Sequence, residues 1–436
     1  MKRSARHVHR AGKSKPITAI VVGAGHRGVL YASYALDHPE ELKIVGVVDP
    51  NELRARQVAE QHGFSMDNWF GSVEQLVQHG RITDAAINAT MDKLHVPTTL
   101  PLLKAGYDVL LEKPVATSAA DVRRLLKVAR QTKRKVMVCH VLRYAPFYAA
   151  IRQRVAGGEI GRILSIRTSE HVGFHHMATA FIRGKWASEK QCQSTMLMSK
   201  CSHDMDILMW MNSGVAPRWV SSFGSLMYFK PENAPRGAGR RCLKDCRIER
   251  QCEFSAKTMY VDRALWKFYA WETVEHLGEM TTAQKLRSLR EDNPYGRCVW
   301  HCDNDVVDHQ VVAVEFENGS TATHNMIGGT AKPFRQIHIV GTHGEIEGEM
   351  EAGVFHVRHA DLRRKNLLRE QVVDVNVGSD GHGGGDFRLV ADFVRVLPGQ
   401  QPSLSTTHLE DSIYGALAGF AADKARLTHR AVAISS

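Results

Sequence analysis

Lys113 closes an apolar run at 109–111 and sits between Glu112 and Pro114. An acid, a base and a proline cannot all continue a buried strand, so the charge points outward from the strand's end. In open parallel α/β sheets, ligands lie beyond the carboxyl ends of the strands, where such a cation would meet one. Upstream, Gly23-Ala24-Gly25-His26-Arg27-Gly28 follows the β-rich run 17–22 and leads into a helical pattern through Leu30, Tyr34 and Leu36. Gly23 permits the tight turn, Gly25 lets the backbone approach a pyrophosphate, and Gly28 allows close helix packing. Asp49 ends the next apolar run, 42–48, and lies 21 residues beyond Gly28, where a carboxylate binds a ribose 2′-hydroxyl and repels a 2′-phosphate. Dinucleotide binding is expected, with NAD preferred over NADP; the nearby Arg54 and Arg56 temper that preference.

The elements needed to position these residues can be read from periodicity. Strands at 85–90, 109–111 and 136–141 alternate with helices at 97–105 and 118–131, which predicts a doubly wound parallel sheet with right-handed crossovers over residues 16–140. Beyond residue 147 the pattern changes. Runs at 163–168, 219–228, 310–317, 320–326, 336–340, 354–357 and 372–377 read as strands with few helices between them, so an α+β domain with a mainly antiparallel sheet is expected over 141–436. Glu317-Asn318-Gly319-Ser320 suggests a type I′ hairpin turn. Thr407 and Glu410 suggest a capping box for a closing helix at 408–426.

The stretch at about 230–302 fits neither pattern and reads as an insertion. It carries Cys242, Cys246, Cys252, Cys298 and Cys302. Their spacing is not that of a standard zinc finger, but thiolates brought together would bind a structural metal; free thiols and disulfides are the other readings.

Composition narrows the function classes. No apolar run is long enough for a membrane span and no secretory h-region is evident, so a cytoplasmic enzyme is expected. Six of the +11 formal charges fall in the first fifteen residues, which contain no acid. A disordered basic tail at 1–15 is therefore expected, and no aromatic-interleaved basic patch or other motif points to nucleic acid.

The motifs VVGAGHRG, VVDP, His95, EKP at 112–114 and His-x-x-Asp at 203–206 before Trp210 together resemble the glucose-fructose oxidoreductase, inositol dehydrogenase and MocA (Gfo/Idh/MocA) family of nicotinamide-dependent enzymes. The resemblance covers about 16–395. It implies an oxidoreductase acting on a ring hydroxyl or ketone of a sugar or cyclitol, with Lys113 catalytic and Pro114 positioning it, often through a cis peptide. The cofactor set it implies is Gly23, Gly25, His26, Arg27, Gly28, Asp49, Thr90, His95, Glu112 and Lys113.

Family members usually carry Asp-x-x-x-His in the second catalytic stretch. Here Ser199 stands four residues before His203, so His203 and Lys200 are the expected catalytic partners and the family's proton relay does not transfer unchanged. Arg143, Tyr144, His176, Arg183, Trp186 and Asp206 are expected to bind substrate, because arginines and polar aromatics suit a sugar. The glycine-rich stretch 381–386 is expected to wall the substrate pocket. Some relatives cleave glycosides by transient oxidation, elimination, hydration and re-reduction, which leaves an NAD-dependent glycoside hydrolase as the alternative. Intact EKP and His203 argue against an inactive dinucleotide-binding regulator. A homo-oligomer is expected from the open face of a broad antiparallel sheet.

Overall fold

The structure, a computed structural model, describes residues 15–375 and 381–434. Of the expected basic tail only Lys15 falls among them, and 376–377 of the last expected strand lie outside.

Six strands make the first sheet: β1 (Ile17–Val22), β2 (Leu42–Val48), β3 (Trp69–Phe70), β4 (Ala85–Asn88), β5 (Asp108–Leu111) and β6 (Val136–Val138). All pair in parallel in the order β3-β2-β1-β4-β5-β6. The chain reverses direction of winding between β1 and β4, so a crevice opens at their carboxyl ends, where this class of sheet binds its ligands. The near-continuous apolar runs of these strands follow from burial on both faces, and β1, β4 and β5 are almost wholly inaccessible.

Nine strands make the second sheet: β7 (Ile163–Gly173), β8 (Pro217–Ser225), β9 (His309–Phe316), β10 (Thr321–Thr330), β11 (Phe334–Gly341), β12 (Glu345–Glu349), β13 (Val354–Ala360), β14 (Leu368–Asp374) and β15 (Val432–Ala433). Their order is β14-β13-β12-β11-β7-β10-β9-β8-β15, and the pairing is antiparallel except between β10 and β7. One face packs on the helices Met196–Met211 and Leu409–Thr428. The other face is exposed, as the alternating burial of β9 records.

Two local expectations are corrected. The β9–β10 hairpin forms, but Asn318 has no positive φ; only Gly319 does (82°), so the connection is a type I turn followed by a glycine bulge, not type I′. The last long helix begins at Leu409 with His408 as an N-cap that makes no side-chain bond, and the Thr407 hydroxyl is buried without a partner, so the capping box is absent. The segment between β8 and β9 is built of short turns and one regular helix, Thr282–Glu291. Among the described residues its five cysteines form no group of three or more with metal-ligand spacing, and all eight cysteines of the chain are free thiols, so of the three readings a structural metal is not supported. Two convergent groups occur among the described residues: Cys201 and Asp204 of the helix Met196–Met211 with His324 of β10, all buried, and the more exposed His38, Glu40 and Glu41.

Candidate active site

A cavity of about 400 Å³ lies between the two sheets, at the carboxyl ends of the parallel strands. Its first wall is the glycine turn. Gly23 adopts φ 87°, and a Cβ there would stand 2.8 Å from the Ala89 carbonyl oxygen. A Cβ on Gly28 would come within 2.1 Å of the Gly23 carbonyl, whereas one on Gly25 would meet nothing within 4 Å. The turn is therefore closed where helix and strand touch and open where a pyrophosphate would approach. Gly25 caps the helix His26–Ala32 with no side-chain acceptor and no acid in its first turn, which leaves the N–H donors for an anion. Asp49, at the end of β2, accepts from Ala24 N (2.7 Å) and Asn51 N (2.8 Å) and so faces the turn. These residues fit a dinucleotide.

Lys113 forms the floor of the cavity. The Lys113–Pro114 peptide is cis, and His95 is bonded through its two ring nitrogens to the Pro114 and Thr90 carbonyls (2.7 and 3.0 Å), bracing the loop from behind without lining the cavity. Lys113 Nζ donates to the Ser199 carbonyl at 2.6 Å. The Ser199 hydroxyl turns back on its own helix to Thr195 O (2.8 Å). At the position where the family's aspartate was expected, the backbone carbonyl holds the lysine instead. Burial lowers the Lys113 pKa and Lys200 and Arg27 add to that, against the opposing pull of Glu112 and Asp92.

The opposite wall comes from the helix Met196–Met211, which carries Lys200 and His203 into the same cavity. Lys200 Nζ pairs with Glu170 on β7 at 2.8 Å, and Arg335 on β11 reaches the other oxygen of Glu170 (2.5 Å) and Asp204 (3.1 Å). Burial alone would raise Glu170, but Arg335 and Lys200 outweigh it and keep it ionised. His203 is held well below the usual histidine range, first by burial and then by the Lys113 charge, and is neutral at pH 7. His176 and Trp186 line the cavity, as do Thr90, His26, Arg27 and Glu112 beside the glycine turn.

Four expected substrate residues are placed elsewhere. Arg143 and Asp206 form a buried bidentate pair (2.7 and 2.6 Å), and the Tyr144 hydroxyl donates to Asp392 (2.9 Å). Arg183 spends its donors on Phe254 O, Arg297 O and Tyr260. None of the four lines the cavity, and no donor of the arginines points at it; they are corrected to packing partners.

Other lining residues carry no sequence signal of their own: Arg335, Asp92, Lys185, and Trp266, Phe268 and Tyr269 from the segment between β8 and β9. Trp266 stacks on His176 and Phe268 on His26, with ring centroids 4.4 and 4.0 Å apart, so this segment supplies an aromatic wall. The glycine-rich stretch is positioned as expected of a pocket wall. His382, Gly383 and Gly384 have φ of 54°, 63° and 77°, and a Cβ on Gly385 would stand 2.2 Å from Val141 O. That left-handed run aims His382 and Asp386 inward, where Asp386 pairs with Arg27 (2.5 Å) and His382 (3.1 Å). Burial would raise the Asp386 pKa, but the His382 hydrogen bond and the Arg27 charge hold it at about 2.

The buried histidines make a prediction. Burial lowers His140 to about 4 and also lowers His203 and, at the cavity wall, the half-buried His176. Unfolded histidines take up protons near pH 6.5, so between about pH 6.5 and 4 the unfolded state binds more protons and stability falls as pH falls. Melting curves should shift to lower temperature from pH 7 to pH 5; a melting temperature flat across that window would refute the neutral buried assignment.

Residues 17–140 match the family model described as an oxidoreductase family NAD-binding Rossmann fold, and 152–367 match its C-terminal alpha/beta domain. The putative oxidoreductase YteT of Bacillus subtilis is 27% identical over 325 residues, covering 71% of each chain. An inositol 2-dehydrogenase from Rubrobacter xylanophilus is 30% identical over 46% of this chain and 53% of its own length, so the chain spans about half of that relative. The fold is shared with an oxidoreductase from Agrobacterium radiobacter solved with NAD+, L-tartaric acid and magnesium (TM-score 0.66, 14% identity, 96% of this chain and 99% of that one). It is shared also with an NAD binding oxidoreductase from Klebsiella pneumoniae (TM-score 0.69, 16% identity, 97% and 100%). With both halves matched in sequence and the paired sheets shared in structure, this chain belongs to the Gfo/Idh/MocA family of NAD(P)-binding oxidoreductases.

Proposed function

We propose that this enzyme transfers hydride between NAD and a ring hydroxyl or ketone of a sugar or cyclitol. The observation that carries the reading is the convergence of Lys113, Lys200 and His203 in one cavity with the glycine turn. When bound, the nicotinamide accepts or returns the hydride. The protein's part is to handle the proton and the charge. Lys113, its pKa lowered by burial, takes the hydroxyl proton in oxidation and returns it in reduction. Lys200 and Arg335 set positive charge around the oxygen that becomes alkoxide-like, with Glu170 keeping both in place. His203, neutral and within the same wall, accepts or relays a hydroxyl hydrogen.

The aromatic wall of Trp186, Trp266 and Tyr269 suits the apolar face of a sugar ring, while Asp92 and His176 offer polar contacts to its hydroxyls. Relatives named inositol 2-dehydrogenase support a polyol substrate, and none of the relatives above is named as a glycoside hydrolase, so net redox is the reading advanced. Asp49 at the ribose end supports NAD over NADP. The exposed face of the second sheet supports assembly of copies of the chain into a homo-oligomer.

Purified enzyme with NAD+ and a panel of cyclitols, aldoses and glycosides should yield NADH with at least one of them. Absence of NADH across the panel, in protein shown to bind NAD+, would refute the reading. Aglycone release without net NADH, with solvent deuterium entering beside the oxidised carbon, would replace it by redox-neutral cleavage.

A further inference from the structure

An arginine shortly after the acid that ends the second strand is the group that accommodates a 2′-phosphate in dinucleotide folds. This chain has that arginine, and the insertion holds it. Arg54 Nε donates to both carboxylate oxygens of Glu275 (2.9 and 3.0 Å), and its Nη2 donates to Glu272 at 3.1 Å. Glu275 also accepts from Asn51 Nδ2 (2.7 Å), whose backbone N–H donates to Asp49. Glu272 is shared with Lys185 at 3.2 Å, and Arg56 turns to Glu52 (2.6 Å). A continuous chain of polar contacts therefore runs from Asp49 through Asn51, Glu275, Arg54 and Glu272 to Lys185, and two of its acids come from the segment between β8 and β9.

We propose that Glu272 and Glu275 are specificity-determining residues that enforce NAD over NADP by occupying Arg54. Between them the two carboxylates take the Nε and Nη2 donors along one edge of the guanidinium, the planar fork that a phosphate would need. It also leaves Asp49, Glu272 and Glu275 as three negative charges about the ribose end, against the cations Arg54 and Lys185. An added 2′-phosphate must displace a carboxylate and then sit among acids. Because Glu272 and Glu275 lie outside the nucleotide-binding half, cofactor choice is written partly in a segment that the glycine fingerprint and Asp49 do not cover. The inference rests on the proposal that NAD is the cofactor.

Calorimetric titration of NAD+ and NADP+ tests it without a substrate. Wild-type protein should bind NAD+ more tightly. Glu272→Gln/Glu275→Gln should strengthen NADP+ binding by about tenfold or more, the scale of one charge-assisted hydrogen bond to a freed arginine, while NAD+ affinity changes little. Adding Arg54→Ala to that double variant should abolish the gain. Both glutamates have partly exposed side chains (25% and 31%), and the single Glu275→Gln variant, whose melting curve reports folding, should show a smaller gain in the same direction. An NADP+ affinity unchanged in the folded double variant overturns the proposal, and so does a gain that survives Arg54→Ala. A wild type that prefers NADP+ would instead overturn the NAD reading on which it stands.

Discussion

Replacing Lys113 with alanine should reduce kcat by about 10³-fold, within the range by which positioned acid–base groups act, while leaving NAD+ affinity nearly unchanged. The lysine emerges from β5 at the carboxyl end of the parallel sheet, is followed by a loop that His95 braces from behind, and hangs from the Ser199 carbonyl across the cavity. Those constraints hold one amine where the substrate hydroxyl would come. Burial pushes its pKa down, so oxidation should rise with pH along a limb centred below the usual lysine range, because the neutral amine is the form that takes a proton. Lys113→Arg keeps the charge but cannot give up a proton at any working pH, and should be nearly as inactive as the alanine variant. Steady-state kinetics across pH, with cofactor titration as the control, would check this. Turnover undiminished in Lys113→Ala would remove the lysine from the chemistry.

Much of the cofactor side was legible because its determinants are local. Gly23 is required by its own φ of 87° and Gly28 by the Gly23 carbonyl, both within one turn, and Asp49 reports itself by ending an apolar strand. Lys113 was visible for the same reason, as charge that a buried ladder could not absorb. What could not be read depends on partners far along the chain. Arg335 continues the inward face of Ile337 and Ile339 on β11, but an arginine one step before an alternating strand reads as surface until Glu170 and Asp204 are brought to it. Trp266 and Phe268 reach the cavity only because a segment of short turns folds back over the glycine turn, and no periodicity announces such a segment. Ser199 departs visibly from the family's aspartate, yet the consequence lies in its backbone carbonyl, which residue identity does not encode.

Arg143→Ala should destabilise the protein by about 3–5 kcal/mol, the range found when one partner of a buried ion pair is removed. Arginine beside tyrosine near the end of the cofactor half suggests a sugar contact, and the structure corrects that expectation by turning both side chains away from the cavity. The guanidinium is 2% exposed and the Asp206 carboxylate 1%, and the pair is bidentate. Its remaining donors reach the Thr406 and Asp411 carbonyls at 3.3 Å, and it lies 5.6 Å from the centre of the Trp210 ring. Truncation leaves the Asp206 charge in a dry interior with no cation bonded to it, since His140, 3.7 Å away, is kept neutral by burial. The cost is therefore the desolvation of an unpaired carboxylate more than the loss of a contact. Replacing both partners with apolar residues of similar size, Arg143→Met with Asp206→Leu, should recover most of the lost stability, because neither charge is then buried alone. Denaturant unfolding of the three proteins gives the comparison. A substrate-binding Arg143 would behave differently: the single variant would raise KM at unchanged stability, and the apolar pair would restore nothing.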